Sequence, residues 1–110
     1  MTTIREHSDV ATLINVFTVA PERARELADK LRAATEETMR FVPGFISANI
    51  HVSTDGTRVV NYAQWQSAEA YQAMFEDPHA REHMGACAAL AIGFDPHLYT
   101  VESVHETPNV

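Results

Sequence analysis

The sequence has a single cysteine and few basic residues, and both shortages restrict what the chain can do. Cys87 alone cannot form an intramolecular disulfide or a metal site with several cysteine ligands. Eight lysines and arginines stand against fifteen aspartates and glutamates, which gives a formal net charge of −7 at pH 7. Because nucleic acids and anionic membrane surfaces attract basic patches, neither is an expected partner.

Several common sequence signatures are also missing. The chain has no glycine-rich phosphate loop, no G-x-G-x-x-G motif and no G-x-S-x-G nucleophile elbow, so nothing predicts a nucleotide site or a hydrolase triad. No apolar run approaches the roughly 20 residues of a membrane span, and the first six residues have no signal-peptide core. We therefore expect a cytoplasmic protein. Its 110 residues, 45% of them hydrophobic, predict a single domain over residues 1–110.

The first half of the chain predicts a strand followed by a long helix. Val10 to Val19 is apolar on both alternating faces, as expected for a strand buried on both sides. From Pro21 to Val42, apolar residues recur at spacings of three and four, which indicates an amphipathic helix. Pro43 and Gly44 should end it.

The second half predicts a hairpin, two helices and a last strand. Ser67 is a candidate N-cap for a short helix, and Asp77-Pro78 should cap a second one that runs through Leu90. Leu98 to Val104 predicts the fourth strand. This order fits an α+β fold of the ferredoxin-like, split β-α-β kind, a four-stranded antiparallel sheet with helices on one face.

The other sheet face would be left without a cover. We expect it to carry a large apolar surface, which is rarely left in water, formed by Ile14, Val16, Ile46, Ile50, Val52, Val60 and Tyr62. The sequence therefore predicts a homodimer in which two sheets pack face to face as a dimeric α+β barrel.

The hairpin joins Phe45–Val52 to the run that ends at Trp65, and Asp55-Gly56 is its turn signal. A two-residue loop would place Asn61 opposite Ile50. A three-residue loop would place Asn61 opposite Asn49 and Trp65 opposite Phe45. We favour the three-residue loop because it sorts the residues into an apolar face and a polar-lined pocket face, the latter with Phe45, Ser47, Asn49, His51, Val59, Asn61, Ala63 and Trp65.

Asn61 and Trp65 on that face, with Asn15 on the adjacent strand, would surround one space with two carboxamides and an indole N–H. Such donors can hold a phenol or carbonyl oxygen and stabilise it as charge develops. The structural alternative is that Trp65 anchors the core and the asparagines are satisfied within the protein. Both interpretations remain open from these residues alone.

Other polar residues allow two interpretations each. His51 is a candidate base or a half-exposed strand histidine. Tyr71 could donate from the pocket roof or only pack there, and Arg81 could reach the pocket mouth or lie in solvent. His79 and His83 could share a metal, but no convincing third ligand follows, so we expect no metal site. We interpret Cys87 as a small packing residue.

The hairpin also carries a family resemblance. The run His51-Val52-Ser53-Thr54-Asp55-Gly56-Thr57, followed by Val59-Val60-Asn61-Tyr62-Ala63-Gln64-Trp65, resembles the antibiotic-biosynthesis monooxygenase family, in particular its ActVA-type members. Val42-Pro43-Gly44-Phe45 fits the helix-to-strand turn of that family. The likeness extends from the first predicted strand to the last.

This resemblance implies a homodimeric oxygenase that works without flavin, haem or metal. It would oxidise a polycyclic aromatic polyketide intermediate, of anthrone or dihydroquinone type, to a quinone with O₂. With the predicted pocket face, it implies catalytic roles for Asn61, Trp65 and His51, and substrate contacts from Asn15, Phe45, Asn49, Tyr71, Arg81 and Met84. Met84 stands where the family has an arginine, and the sequence leaves open whether Arg81, one turn earlier, replaces it.

Two alternatives from other classes remain. One is a haem-binding or haem-degrading protein of the same fold, for which Asn15 and His83 would be suitable, although Met74 stands where a tryptophan is expected. The other is a non-catalytic or cyclase-like accessory protein of polyketide biosynthesis.

Overall fold

The structure, a computed structural model, describes residues 1–108 and contains the predicted antiparallel sheet of four strands. The strands lie in the order β2-β3-β1-β4, which is the order of the ferredoxin-like fold. Their bounds are β1 Ala11–Thr18, β2 Phe45–Val52, β3 Arg58–Trp65 and β4 Gly93–Tyr99. The predicted α+β class and the central hairpin are therefore confirmed.

Three helices, α1 Ala24–Glu37, α2 Ala68–Ala73 and α3 Pro78–Leu90, accompany the sheet. Short 3₁₀ turns flank them at Pro21–Arg23, Met39–Phe41 and Met74–Glu76. Both predicted N-caps are present: the Ser67 hydroxyl accepts from the Ala70 N–H at 3.0 Å, and the Asp77 carboxylate accepts from the His79 and Ala80 N–H groups at 2.9 and 3.2 Å. None of the helices within the described residues is long and apolar enough for a membrane-spanning segment.

The core lies between the helices and one face of the sheet, which we call the helix face. The apolar stripe of α1 packs there against Phe17, Val19 and Val59, and both Leu27 and Val59 are fully buried. A second cluster surrounds Trp65. Burial of a Leu- or Val-sized side chain contributes about 1.5–3 kcal/mol, so this stripe fixes the helix against the sheet.

The predicted position of the last strand was wrong. β4 is Gly93–Tyr99 rather than Leu98 to Val104, so it begins almost directly after α3. The sequence Asp95-Pro96-His97 has no strand pattern, but β4 pairs only with β1 and is an edge strand. A proline is tolerated in an edge strand because its missing N–H can lie on the side of the strand that has no neighbour.

The favoured hairpin register was also wrong. Asn61 lies opposite Ile50, as the two-residue alternative required, and Asn49 lies opposite Tyr62. A β-bulge between Phe45 and Ser47 then shifts the pairing by one residue, so Phe45 does face Trp65. The register next to the loop is therefore that of the two-residue alternative, and the bulge restores only the predicted Phe45–Trp65 pair.

The loop between the two strands is organised by Asp55. Its carboxylate accepts hydrogen bonds from the Ser53 hydroxyl and from both the N–H and the hydroxyl of Thr57, at 2.8, 3.0 and 2.7 Å. The hydrogen bonds from Thr57 lower the pKa of Asp55 to about 2. Gly56 adopts the positive φ that the turn requires, +74°.

The observed register changes the face of several residues, because a slip of one position exchanges the two faces of a strand. Ile50 and Val52 share the helix face with Asn61 and Val59, and were wrongly assigned to the outer face. The outer face, opposite the helices, carries Ile14, Val16, Val60 and Tyr62 together with Asn49 and His51.

The N-terminal segment crosses one end of this outer face. The Gln64 side chain exchanges two hydrogen bonds with the backbone of Thr3, and the Asn49 amide donates to the Thr2 hydroxyl at 2.6 Å. Gln64 is only 3% exposed. The outer face is therefore partly covered by the chain itself, and its apolar residues Ile14, Val16, Val60 and Tyr62 are half-buried.

Candidate active site

A cavity of about 340 Å³ lies between the helix face of the sheet and the helices. All three helices and all four strands contribute to its wall, which is mostly apolar. This is within the usual size range of small-molecule sites, about 300–1,000 Å³. Six of its wall residues are predicted site residues. Four lie on strands and two on helices: Asn15, Phe45, Asn61, Trp65, Met84 and Tyr71.

Two polar atoms in this cavity wall have no partner. Asn61 Oδ1 and Trp65 Nε1 are both fully buried, and neither makes a hydrogen bond with the described residues. Such a buried, unpaired group costs about 1–3 kcal/mol, so native proteins rarely retain one without a function. Two of them in one cavity indicate a ligand with polar atoms. A half-turn of the Asn61 amide exchanges Oδ1 for Nδ2, so this residue can offer an acceptor or a donor.

Asn15 lies directly opposite Asn61 in the β1–β3 register, and both line the cavity. Its carbonyl oxygen accepts the Asp95 N–H at 3.2 Å, which holds the amide in one orientation. The Asn15 NH₂ is thereby left as a donor. Carboxamides from two strands and the indole N–H of Trp65 thus share one space, which is the arrangement that stabilises a developing oxyanion.

A series of aromatic rings holds the tryptophan in place. Phe45 packs edge-on against Trp65 with ring centroids 5.5 Å apart, and Tyr71 packs against its other side at 6.0 Å. Phe75 packs in turn against Tyr71, with ring centroids 5.2 Å apart. Edge-to-face pairs contribute about 0.5–1.5 kcal/mol each beyond their buried area, so the indole of Trp65 is held by two ring contacts, and its N–H makes no hydrogen bond with the described residues.

The ionisable groups of the cavity wall are few. Among the described residues its wall has no lysine, arginine, aspartate or glutamate, and the side chains that can titrate are Tyr71, His83 and Cys87. Burial raises the pKa of Tyr71 and of Cys87, and Lys30 only partly opposes the effect on the thiol. Both groups are therefore protonated at neutral pH.

Three predicted site residues do not reach the cavity. His51 is exposed on the outer face opposite Val60, and Asn49, on the same face, donates to the Tyr62 carbonyl at 3.2 Å as well as to Thr2. Both were misplaced by the register error. Arg81 is exposed on α3 and is not part of the cavity wall, so it does not take the place of an arginine there, and Met84 does line the cavity.

His83 lines the cavity, although the sequence predicted no role for it in the favoured reaction. It was considered only as a metal ligand with His79 or in the haem alternative. No group of three His, Cys, Asp or Glu side chains within the described residues could hold a metal ion. The spacing of Ala80, Met84 and Cys87 along α3 could have revealed the inward stripe beside which His83 lies.

Most of the chain is similar in sequence to known proteins. The model of a family described as antibiotic biosynthesis monooxygenase matches residues 11–86. The tetracenomycin-F1 monooxygenase of Streptomyces glaucescens is 48% identical over 91 residues, which cover 83% of this chain and 81% of that enzyme.

Solved structures of oxygenases are also similar to this chain. A monooxygenase from the gene ActVA-Orf6 of Streptomyces coelicolor, crystallised with the ligand nanaomycin D, superimposes with a TM-score of 0.78 at 36% identity and covers 87% of this chain and 90% of its own. SnoaB of Streptomyces nogalater, a cofactor-independent oxygenase, matches with a TM-score of 0.67 at 24% identity, over 92% and 99% of the two chains. At that identity the second likeness shows the fold alone.

Proposed function

This chain is a monooxygenase of the antibiotic biosynthesis monooxygenase family, and from that premise we propose that it oxidises a polycyclic aromatic polyketide intermediate to a quinone with O₂ and without a cofactor. The substrate class is an anthrone or dihydroquinone. One observation carries the proposal: Asn61 Oδ1 and Trp65 Nε1 are unpaired inside a mostly apolar cavity. A fused-ring phenol offers both the flat apolar surface and the oxygen atoms that such a cavity would bind.

The chemistry requires a dry site more than a catalytic metal. Ground-state O₂ reacts slowly with closed-shell molecules, but an electron-rich carbanion can transfer one electron to it. The Asn61, Asn15 and Trp65 side chains would hold the oxygen of the enolate, and the apolar wall would exclude water. For an anthrone the atoms balance: both C–H bonds of the methylene carbon break, one oxygen atom of O₂ becomes the carbonyl oxygen, and the other leaves as water.

Oxygen consumption tests this proposal. We expect the purified protein, treated with a chelator and free of visible absorbance, to consume O₂ with an anthrone faster than buffer does. Trp65→Phe and Asn61→Ala should each lower kcat at least about tenfold, a loss of roughly 1.4 kcal/mol of transition-state stabilisation. Unchanged rates in both variants contradict the assigned roles, and uptake at the buffer rate favours the accessory-protein alternative.

The haem alternative is supported by one observation, the position of His83 in the cavity wall. Titration with hemin separates the two functions. We expect no Soret shift, because the proposed reaction takes its electrons from the substrate. A stoichiometric shift that is lost in His83→Ala would favour haem binding instead.

The outer face supports a further part of the proposal. Ile14, Val16, Val60 and Tyr62 form an apolar surface beside the N-terminal segment, and we include in the proposal a homodimer through this face. The cavity lies on the opposite side of the sheet, within each subunit. A cytoplasmic location, expected from the sequence, also belongs to the proposal.

A further inference from the structure

The proposed reaction needs a proton acceptor, and the cavity offers few candidates. The substrate C–H must lose a proton before its electron pair can reach O₂. The wall has no carboxylate among the described residues, and burial keeps the Tyr71 hydroxyl and the Cys87 thiol protonated. A neutral imidazole is a base near pH 7, and His83 provides the one in this wall.

His83 also borders a second space. A cleft on the outside of the helices is lined by Glu37, Thr38, Phe41, Val42, Asp77, His79 and His83. His83 is the residue that this cleft shares with the cavity wall. His83 therefore lies between the mostly apolar cavity and a more open cleft.

Two carboxylates line the cleft beside His83. Glu37 at the end of α1 and Asp77 before α3 face the same cleft, with His79 as its other titratable group. Tyr71 on α2 and Cys87 on α3 are the titratable groups on the cavity side. His83 thus has carboxylates on the cleft side and the protonated Tyr71 and Cys87 side chains on the cavity side.

We propose that His83 is the general base of this monooxygenase. The inference rests on the proposed function. The substrate C–H bond breaks, the proton moves to an imidazole nitrogen, and the electron pair stays in the ring system as an enolate. O₂ takes up these electrons and forms the new C–O bond, and the imidazolium protonates the resulting peroxide. Loss of water from the hydroperoxide gives the carbonyl and leaves His83 neutral.

Anaerobic proton exchange tests this role apart from oxygenation. The enzyme is incubated without O₂ in D₂O with an anthrone, and deuterium uptake at the methylene carbon is followed by NMR. We expect exchange above the buffer rate in the wild type and at least about tenfold slower exchange in His83→Gln, which keeps a polar side chain but not the base. Added imidazole should restore exchange to His83→Ala, which a merely structural role would not allow.

Two other histidines are matched controls. His79→Gln removes an imidazole one turn earlier on α3, outside the cavity wall, and His51→Gln removes the one on the outer face. We expect both to keep wild-type exchange, wild-type O₂ consumption and the wild-type pH profile, while His83→Gln loses the low-pH limb of kcat/KM.

The outcomes separate the two proposals. Exchange that depends on His83 without O₂ consumption would support the base and overturn the oxygenase. Normal exchange and turnover in folded His83→Gln, with turnover lost in Trp65→Phe, would overturn the base and leave the oxygenase. Loss of exchange in His51→Gln, with normal exchange in His83→Gln, would also overturn the assignment of the base to His83.

Discussion

At the scale of single residues, the clearest feature is a pair of asparagines in opposite situations. Asn61 has an unpaired buried oxygen in the cavity, whereas Asn49 on the outer face makes two hydrogen bonds. The sequence could not distinguish them, because their faces depend on the register. The oxygen of the first is left without a partner in the cavity, and the amide of the second binds Thr2 and the Tyr62 carbonyl.

This contrast predicts opposite effects on stability. Asn61→Leu removes an unsatisfied group and fills part of an apolar cavity, so we expect the free energy of unfolding to stay the same or rise by about 1 kcal/mol while turnover is lost. Asn49→Leu removes two hydrogen bonds and should cost about 1–2 kcal/mol. Urea unfolding measures both. A strongly destabilised Asn61→Leu would mean that the amide has a structural partner.

The buried thiol of Cys87 predicts a pH dependence. Its pKa is raised by burial from an ordinary value of 9.0, so the folded state keeps its proton longer than the unfolded state does. The thiol's contribution to stability is complete below about pH 9 and is lost as pH rises through the folded-state pKa. We expect the stability advantage of the wild type over Cys87→Ala in urea to shrink from neutral pH to about pH 10.5. A constant difference would contradict this account.

At the scale of elements, the turn between the first helix and β2 positions the roof of the cavity. Gly44 has φ +89°, and a Cβ added there would lie 2.4 Å from the Ala70 Cβ in α2. The next residue of α2 is Tyr71, which packs against Trp65. The close approach at Gly44 therefore brings α2 and its tyrosine onto the cavity.

A glycine pair tests this role. Gly44→Ala combines a positive φ with a clash against α2, and we expect a loss of about 2–4 kcal/mol in the free energy of unfolding, with a changed Tyr71 environment by NMR. Gly85→Ala is the matched control, because nothing lies within 4 Å of its added Cβ and it is inside α3. It should gain about 0.5–1 kcal/mol. Equal effects of the two substitutions would contradict the proposed contact.

Elements with local signals were predictable from the sequence. Pro21, Ser67 and Asp77-Pro78 mark helix starts, and Asp55-Gly56 marks the hairpin. The loop sequence did not decide between two registers, and the wrong choice misplaced Asn49 and His51. The bulge near Ile46 was not predictable either, because it depends on how β2 fits the sheet. The positions of Trp65 and Asn61 relative to each other were correct since they lie on one strand.

β4 and His83 were missed for a related reason. An edge strand can hold a proline, so β4 lacks the pattern by which strands are recognised. The inward direction of His83 depends on the packing of α3 against α1 and the Met74–Glu76 turn. Long-range packing, not local propensity, decides both.

At the scale of the whole molecule, the outer face predicts the state of assembly. Val60 lies in its apolar middle, whereas Val52, which is exposed, lies on the helix face. We expect the wild type to sediment as a dimer, Val60→Glu to sediment as a monomer because a buried carboxylate is costly, and Val52→Glu to remain dimeric. A dimer broken by Val52→Glu but not by Val60→Glu would place the interface elsewhere.

The central claim is that the unpaired groups of the cavity hold a polycyclic phenol or quinone. A crystal structure of the protein with a quinone bound without O₂ tests it most directly. The account predicts that the rings fill the cavity between the sheet and α3, with a ligand oxygen within about 3 Å of Trp65 Nε1 or the Asn61 amide. A ligand bound outside the cavity, or inside it with both atoms still unpaired, would contradict the account.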